Sequence, residues 1–242
     1  MTTHPAQPLP QGLSRPEVDP QPLVRVRVWD RVVRITHWVV FFSMVVLVIT
    51  GLYIGNPWLT APGEASQNFR MGTMKIVHFY AAIAFSLAVI ARVIWMFTGT
   101  RHARWQNFVP YQRERLRGLW GTLRFYTFFE RRPPPFEGHN PLAGAAYLVI
   151  FGLYFVMILT GLGLYAMSAH LGSPMLHFAF LADLFGGAQT ARWIHHIVMW
   201  LLIGFFIHHL YSAILVSVVE KNGTLDSIVS GNKWMRPKDL DR

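Results

Sequence analysis

The sequence predicts an all-α membrane protein: a four-transmembrane-helix bundle with both termini cytoplasmic. Three observations carry that expectation. Of the 242 residues, 52% are hydrophobic and only 14% charged, whereas a soluble domain carries about a quarter charged residues. Four apolar runs are each long enough to cross a hydrocarbon core roughly 30 Å thick. The basic residues then fall in alternate connections between those runs.

Residues 1–24 are rich in Pro, Gln and Ser and read as a disordered cytoplasmic tail. No secretory signal is expected, because the first apolar run starts near Val32 and is too long for a signal-peptide core. The spans cover about 33–54, 73–97, 142–166 and 193–219, within a membrane domain at 25–231. A cytoplasmic loop at 98–141 separates the second span from the third, and residues 232–242 form a second cytoplasmic tail. Inside the loop, "RERLRGLWGTLRFYTFF" (Arg113–Phe129) mixes arginines and aromatics at helical spacing, as an interfacial helix does. Pro133–Pro135 ends it.

Arg25, Arg27, Arg31 and Arg34 precede the first span, eight arginines lie between Arg101 and Arg132, and Lys221, Lys233, Arg236, Lys238 and Arg242 follow the last span. The other two connections hold only Arg70 with Lys75, and Arg192. The positive-inside rule therefore puts both termini and the central loop in the cytoplasm. It also accounts for the net charge of +10 without a nucleic-acid partner. The chain has no cysteine, which excludes thiolate-held iron–sulfur clusters, cysteine zinc sites and covalently attached haem.

The last span, "WIHHIVMWLLIGFFIHHLY" (Trp193–Tyr211), carries two adjacent histidine pairs. Ionisable side chains are rare inside a span and are usually functional. At about 100° per residue, the 14 steps from His195 to His209 return to within ~40° of the starting face, some 21 Å along the axis. The other combinations across the two pairs diverge by ~120° or more. His195 and His209 thus share one stripe at two depths. His78, near the outer end of the second span, matches His195 in depth, and His37, near the inner end of the first, matches His209. Two stacked histidine pairs suit two bis-histidine haems, outer at His78 and His195, inner at His37 and His209. Zinc fits poorly, because each level offers only two ligands.

His196 and His208 fall off the stripe and read as structural or polar-network residues, with a proton path as the functional alternative for His208. Arg92 reads as snorkelling to the interface, with haem-propionate pairing as its functional alternative. "ITGLYIG" and "LTGLGLY" close the first and third spans as an internal echo. Their glycines read as helix-packing positions, or as close-approach sites for a flat cofactor.

Several stretches resemble the b-type cytochrome subunit of membrane-bound nickel–iron hydrogenases, a family related to the cytochrome b subunit of respiratory formate dehydrogenase. They are "VRITHW" around His37, "TGLYIGNP" at Thr50–Pro57, "GEASQNFRMG" at Gly63–Gly72, "KIVHF" around His78, "GHNPLA" at Gly138–Ala143 and "HHIVMW…HHLY". The resemblance covers about Val24 to Gly231. It implies four helices, two non-covalent haems b on His37, His78, His195 and His209, and a place in the bacterial cytoplasmic (inner) membrane. It implies hydrogenase large and small subunits as partners, the iron–sulfur small subunit docking on the outer face. Electrons would pass to the outer haem, then the inner haem, then quinone. This chain would be the electron-transfer subunit of a hydrogen:quinone oxidoreductase, with no hydrogen chemistry of its own. Asn140 is the loose counterpart of a quinone-site asparagine in the formate dehydrogenase relatives. Thr36 before His37, Arg192 where many members carry an extra histidine, and the doubled His196 and His208 depart from the family pattern.

The alternative within this class is a cytochrome b serving another periplasmic oxidoreductase, of formate dehydrogenase or thiosulfate reductase type. A histidine-based proton-relay transporter is a third reading, but the spans hold no acidic residue.

Overall fold

The computed structural model describes residues 23–59, 63–64, 68–109, 113–132, 134, 136 and 138–240. The expectations for residues 1–22, Pro133 and Pro135 lie outside the described residues. Four helices are long and apolar enough to cross a membrane: α1 (Arg31–Gly55), α2 (Arg70–Thr98), α4 (Pro141–Met167) and α6 (Ala188–Glu220). Between them lie α3 (Arg113–Tyr126) and the short α5 (Phe180–Leu184). The last helix, α7 (Thr224–Ser230), follows α6.

Local chemistry sets the helix starts. The Asp30 carboxylate accepts the Val33 amide at 2.9 Å and caps α1. Asn140 accepts the Ala143 amide at 2.7 Å, and Pro141 occupies the first turn of α4, where a missing N–H costs nothing. The last long helix starts at Ala188, ahead of the apolar window at 193–219, because Gly187 takes a positive φ of 93° just before it. Gln189, Thr190 and Arg192 are polar but helix-compatible.

Helix α1 packs along α2, and α4 along α6, while α2 and α4 bring the two pairs together. The shared core lies mid-bundle. Phe85 and Val89 of α2 meet Ile150, Phe151 and Tyr154 of α4 and Val198 and Leu202 of α6, with Met44 and Leu47 of α1 packed against them. This apolar layer separates the two depths at which the histidines sit.

A two-stranded antiparallel ribbon departs from the purely α-helical expectation. Strand β1 (Val24–Arg27) pairs with β2 (Asn232–Met235), Val24 opposite Met235 and Arg27 opposite Asn232. Strand β2 comes from the stretch expected to be the second tail, whereas β1, apart from Val24, falls at the start of the expected membrane domain. "VRVR" alternates with the period of a strand, its valines half-buried and its arginines exposed.

The ribbon belongs to a clasp. The amides of Val28 and Trp29 donate to the Gly231 carbonyl at 2.9 and 3.1 Å. The Trp29 indole N–H donates to Ser227 Oγ at 2.9 Å, and the Arg34 guanidinium donates to the Val229 carbonyl. Val28, Trp29, Val33 and Ala103 form a small buried cluster beneath it. Asp30 adds the third segment: besides capping α1, it accepts the Trp95 indole N–H at 2.7 Å and the Thr100 hydroxyl at 2.9 Å. The segments before α1, after α2 and after α6 are thereby tied together on one side of the bundle.

Burial alone would raise the Asp30 carboxyl, but its bonds from Val33, Trp95 and Thr100, with the Arg92 charge nearby, hold it below the usual aspartate value. Asp30→Ala is expected to destabilise the detergent-solubilised protein by about 2 kcal/mol through loss of cap and clasp bonds. The folded pKa is depressed, so the wild-type contribution is complete above the unfolded aspartate pKa of about 3.9 and disappears as pH falls through the lower folded value. Thermal melts at pH 7 and pH 3 check this: the difference between wild type and variant should shrink in acid.

Candidate functional site

At the level near the clasp, α1 presents His37 and α6 presents His209 to each other. Their ring centroids are 6.3 Å apart, with planes at 50°. Two imidazole–metal bonds of about 2 Å each, plus the depth of half of each ring, fill that gap. The spacing fits one metal atom held between two imidazoles. The Phe205 ring stacks on His209 at 5.6 Å, and Trp38 meets His37 edge-on at 5.4 Å. His37 Nδ1 is buried and has no hydrogen-bond partner.

At the far level, His78 of α2 and His195 of α6 are close enough to interact electrostatically. Each is seated by a Thr-Gly pair on the helix packed beside its own. Thr50 Oγ1 lies 2.9 Å from His78 Nδ1, and Thr160 Oγ1 lies 2.9 Å from His195 Nδ1. Each hydroxyl also donates along its own helix, Thr50 to the Val46 carbonyl at 2.7 Å and Thr160 to the Val156 carbonyl at 2.6 Å. A hydroxyl has one proton. With that proton directed to the backbone, the threonine oxygen can only accept, so each imidazole donates from Nδ1. The tautomer is then fixed with the Nε2 lone pair free for a metal.

The glycines supply the space. A Cβ built on Gly51 would stand 3.3 Å from His78 Cε1, and one on Gly161 would stand 3.1 Å from His195 Cε1. The echo "ITGLYIG" and "LTGLGLY", read from sequence mainly as helix packing, is a repeated histidine seat. Its missed signal was the threonine before each glycine.

The off-stripe histidines go elsewhere. The His196 ring abuts Gly55, where a Cβ would stand 3.2 Å from Cε1. His208 is exposed and faces the Tyr126 ring of α3 at 6.1 Å. Asn140 caps α4 with its carbonyl oxygen, and its side chain also hydrogen-bonds Tyr126 of α3.

Arg92 does not snorkel. It is 4% exposed, donates to the Ala103 carbonyl at 3.4 Å, and stacks over the rings of Phe108 and Tyr147. His139 is enclosed by Trp29, Phe108 and Tyr147, with ring centroids 4.6 to 5.2 Å away. Among the described residues, the buried side-chain polar atoms without a partner are Arg34 Nε, His37 Nδ1, Arg92 Nη2, His139 Nδ1 and Ser212 Oγ. All lie in the half of the bundle near the clasp. The two guanidinium nitrogens among them, Arg34 Nε and Arg92 Nη2, can only donate, and suit a group with acceptor oxygens, as a haem's propionates provide. No three His, Asp or Glu side chains converge among the described residues. The donor set is therefore one of two-imidazole centres, which suits haem iron.

Comparison with known proteins places the chain in a family. The family described as prokaryotic cytochrome b561 matches residues 28–231. The "Probable Ni/Fe-hydrogenase B-type cytochrome subunit" of Cupriavidus necator is 39% identical over 212 residues, 86% of this chain and 87% of that protein. Its namesake in Bradyrhizobium diazoefficiens is 35% identical over 214 residues, 87% of each chain. The "Probable Ni/Fe-hydrogenase 1 B-type cytochrome subunit" of Escherichia coli K12 is 32% identical over 209 residues, 84% of this chain and 88% of that one.

Burial first, then the charges of Arg92 and Lys233, hold the His139 ring well below the usual histidine range. The folded chain keeps it neutral, while the unfolded chain protonates it below about pH 6.5. Its contribution to stability therefore falls as pH drops beneath that value. His139→Phe is expected to flatten the acid loss of thermal stability between pH 7 and pH 5, by up to about 1.4 kcal/mol per pH unit. Melting curves at stepped pH check it; parallel wild-type and variant profiles would contradict it.

Proposed function

We propose that this chain, which belongs to the prokaryotic cytochrome b561 family of Ni/Fe-hydrogenase B-type cytochrome subunits, is the dihaem membrane anchor that takes electrons from a periplasmic hydrogenase to quinone. The observation that carries the reading is the pair of facing imidazoles, His37 and His209, 6.3 Å apart at one depth. A second pair, His78 and His195, is held in the ligating tautomer at another.

In this reading His78 and His195 hold the outer haem b, and His37 and His209 the inner one. Haem with both axial positions filled by protein supplies one-electron transfer and offers no open position to oxygen. The two levels lie about 21 Å apart along α6, and the layer of Phe85, Tyr154 and Leu202 between them keeps water out of the path. Arg92 and Arg34, each with an unpartnered buried nitrogen, would hold the inner propionates.

The clasp side, with both terminal segments and the arginine-rich loop, faces the cytoplasm of a bacterial inner membrane. The opposite face receives the hydrogenase small subunit, whose iron–sulfur clusters, which a cysteine-free chain cannot hold, deliver the electrons. The large subunit carries the hydrogen chemistry. Quinone binds on the clasp side, beside Asn140 and the Tyr126 hydroxyl that the Asn140 side chain contacts. Residues 25–231 hold the dihaem domain, closed on the cytoplasmic side by the ribbon that pairs Val24–Arg27 with Asn232–Met235.

The dithionite-reduced spectrum of the purified chain is expected to show a sharp haem b α-band, with close to two haems per chain. His78→Ala and His195→Ala should each remove one haem, whereas His196→Ala should retain both. A chain that binds no haem, or a His196→Ala variant that loses one, would contradict the assignment.

A further inference from the structure

The two histidine levels differ in one chemical respect. Both far-level imidazoles donate Nδ1–H to a threonine oxygen at 2.9 Å. His37 Nδ1 has no partner, and His209 makes ring contacts but no hydrogen bond among the described residues. The far-level bonds are alike in detail: a threonine whose proton goes back to the fourth preceding carbonyl, followed by a glycine that admits the ring. The two seats stand on different helices, α1 and α4, and serve histidines on α2 and α6. A requirement of helix packing alone would not need the same hydroxyl twice.

An imidazole that donates its N–H gains electron density on the opposite nitrogen and becomes a stronger base toward a metal. A stronger donor stabilises the oxidised iron, and second-shell hydrogen bonding is one of the recognised controls of haem potential. Resting on the dihaem reading above, we infer that Thr50 and Thr160 are positioning residues that lower the potential of the outer haem relative to the inner one. The inner level, lacking such bonds, sits higher. An electron arriving on the outer face then moves downhill toward the clasp side, and the direction of transfer is built into two hydroxyl groups. Thr→Val preserves the side-chain outline and removes only the hydroxyl, so it isolates the effect.

The test is a spectroelectrochemical titration of the α-band in the purified, full-length holoprotein. Wild type, Thr50→Val, Thr160→Val, the double Val variant and the double Ser variant are compared. Haem content of wild type is measured first; fewer than two haems there would overturn the dihaem reading itself. With two haems bound, each Val substitution is expected to raise the lower potential and leave the higher one in place. The double variant should shift the oxidised-to-reduced ratio of that haem by roughly tenfold, which is ~59 mV for a one-electron couple. The double Ser variant should titrate as wild type. Unchanged potentials, an equal shift of both haems, a Ser variant that shifts as far as Val, or a Val variant that simply loses a haem would each overturn the tuning role.

Discussion

In hydrocarbon a backbone has to satisfy its own N–H and C=O groups, and for a single segment that means an α-helix. Every other feature of this molecule follows from that constraint. Once the spans are helical, side chains arrive about every 100° and 1.5 Å. Two ligands on one helix can share a face at two depths only at certain separations. The same constraint acts on the threonines. Within an apolar helix, Thr50 and Thr160 give their protons to their own backbone, which turns each hydroxyl from an ambiguous group into a pure acceptor.

The bundle is best understood as two helix pairs, α1 with α2 and α4 with α6, each with a Thr-Gly seat on one member and a histidine on the other. The seat fixes a histidine within its own pair. The facing of His37 and His209 works between the pairs, across the gap that separates α1 from α6. Among the described residues, the pairs are held in register by the mid-bundle core, to which all four long helices contribute, and by the clasp that joins the start of α1 to the end of α6. Asp30 matters because it serves a helix cap and the clasp with one carboxylate.

Much of this was legible in the sequence, in proportion to how local the signal was. Four apolar runs yield four long helices, and the family resemblance carried by the histidine and glycine stretches is the one that the comparisons return. The 14-residue spacing of His195 and His209 is a one-helix property, readable without any partner. The Thr-Gly seats were visible only as an echo, because their meaning depends on a ring contributed by another helix 28 and 35 residues away. The ribbon escaped because its two strands lie at opposite ends of the chain. Arg92 was expected to reach for water; instead it is enclosed by Phe108, Tyr147 and the Ala103 carbonyl, all from elements that follow it in sequence.

The clasp also bears on the order in which the molecule is made. It joins residues at the two ends of the chain, as does the facing of His37 with His209, whereas the seat for His78 is complete once the first helical pair has inserted. A ribosome-bound chain can therefore prepare the α1–α2 half while the rest is still being synthesised. The His37–His209 level must wait for the last helix to enter the bilayer and for the ends of the chain to meet. The clasp and the His37–His209 level thus depend on the last span, whereas the seat for His78 depends only on the first two.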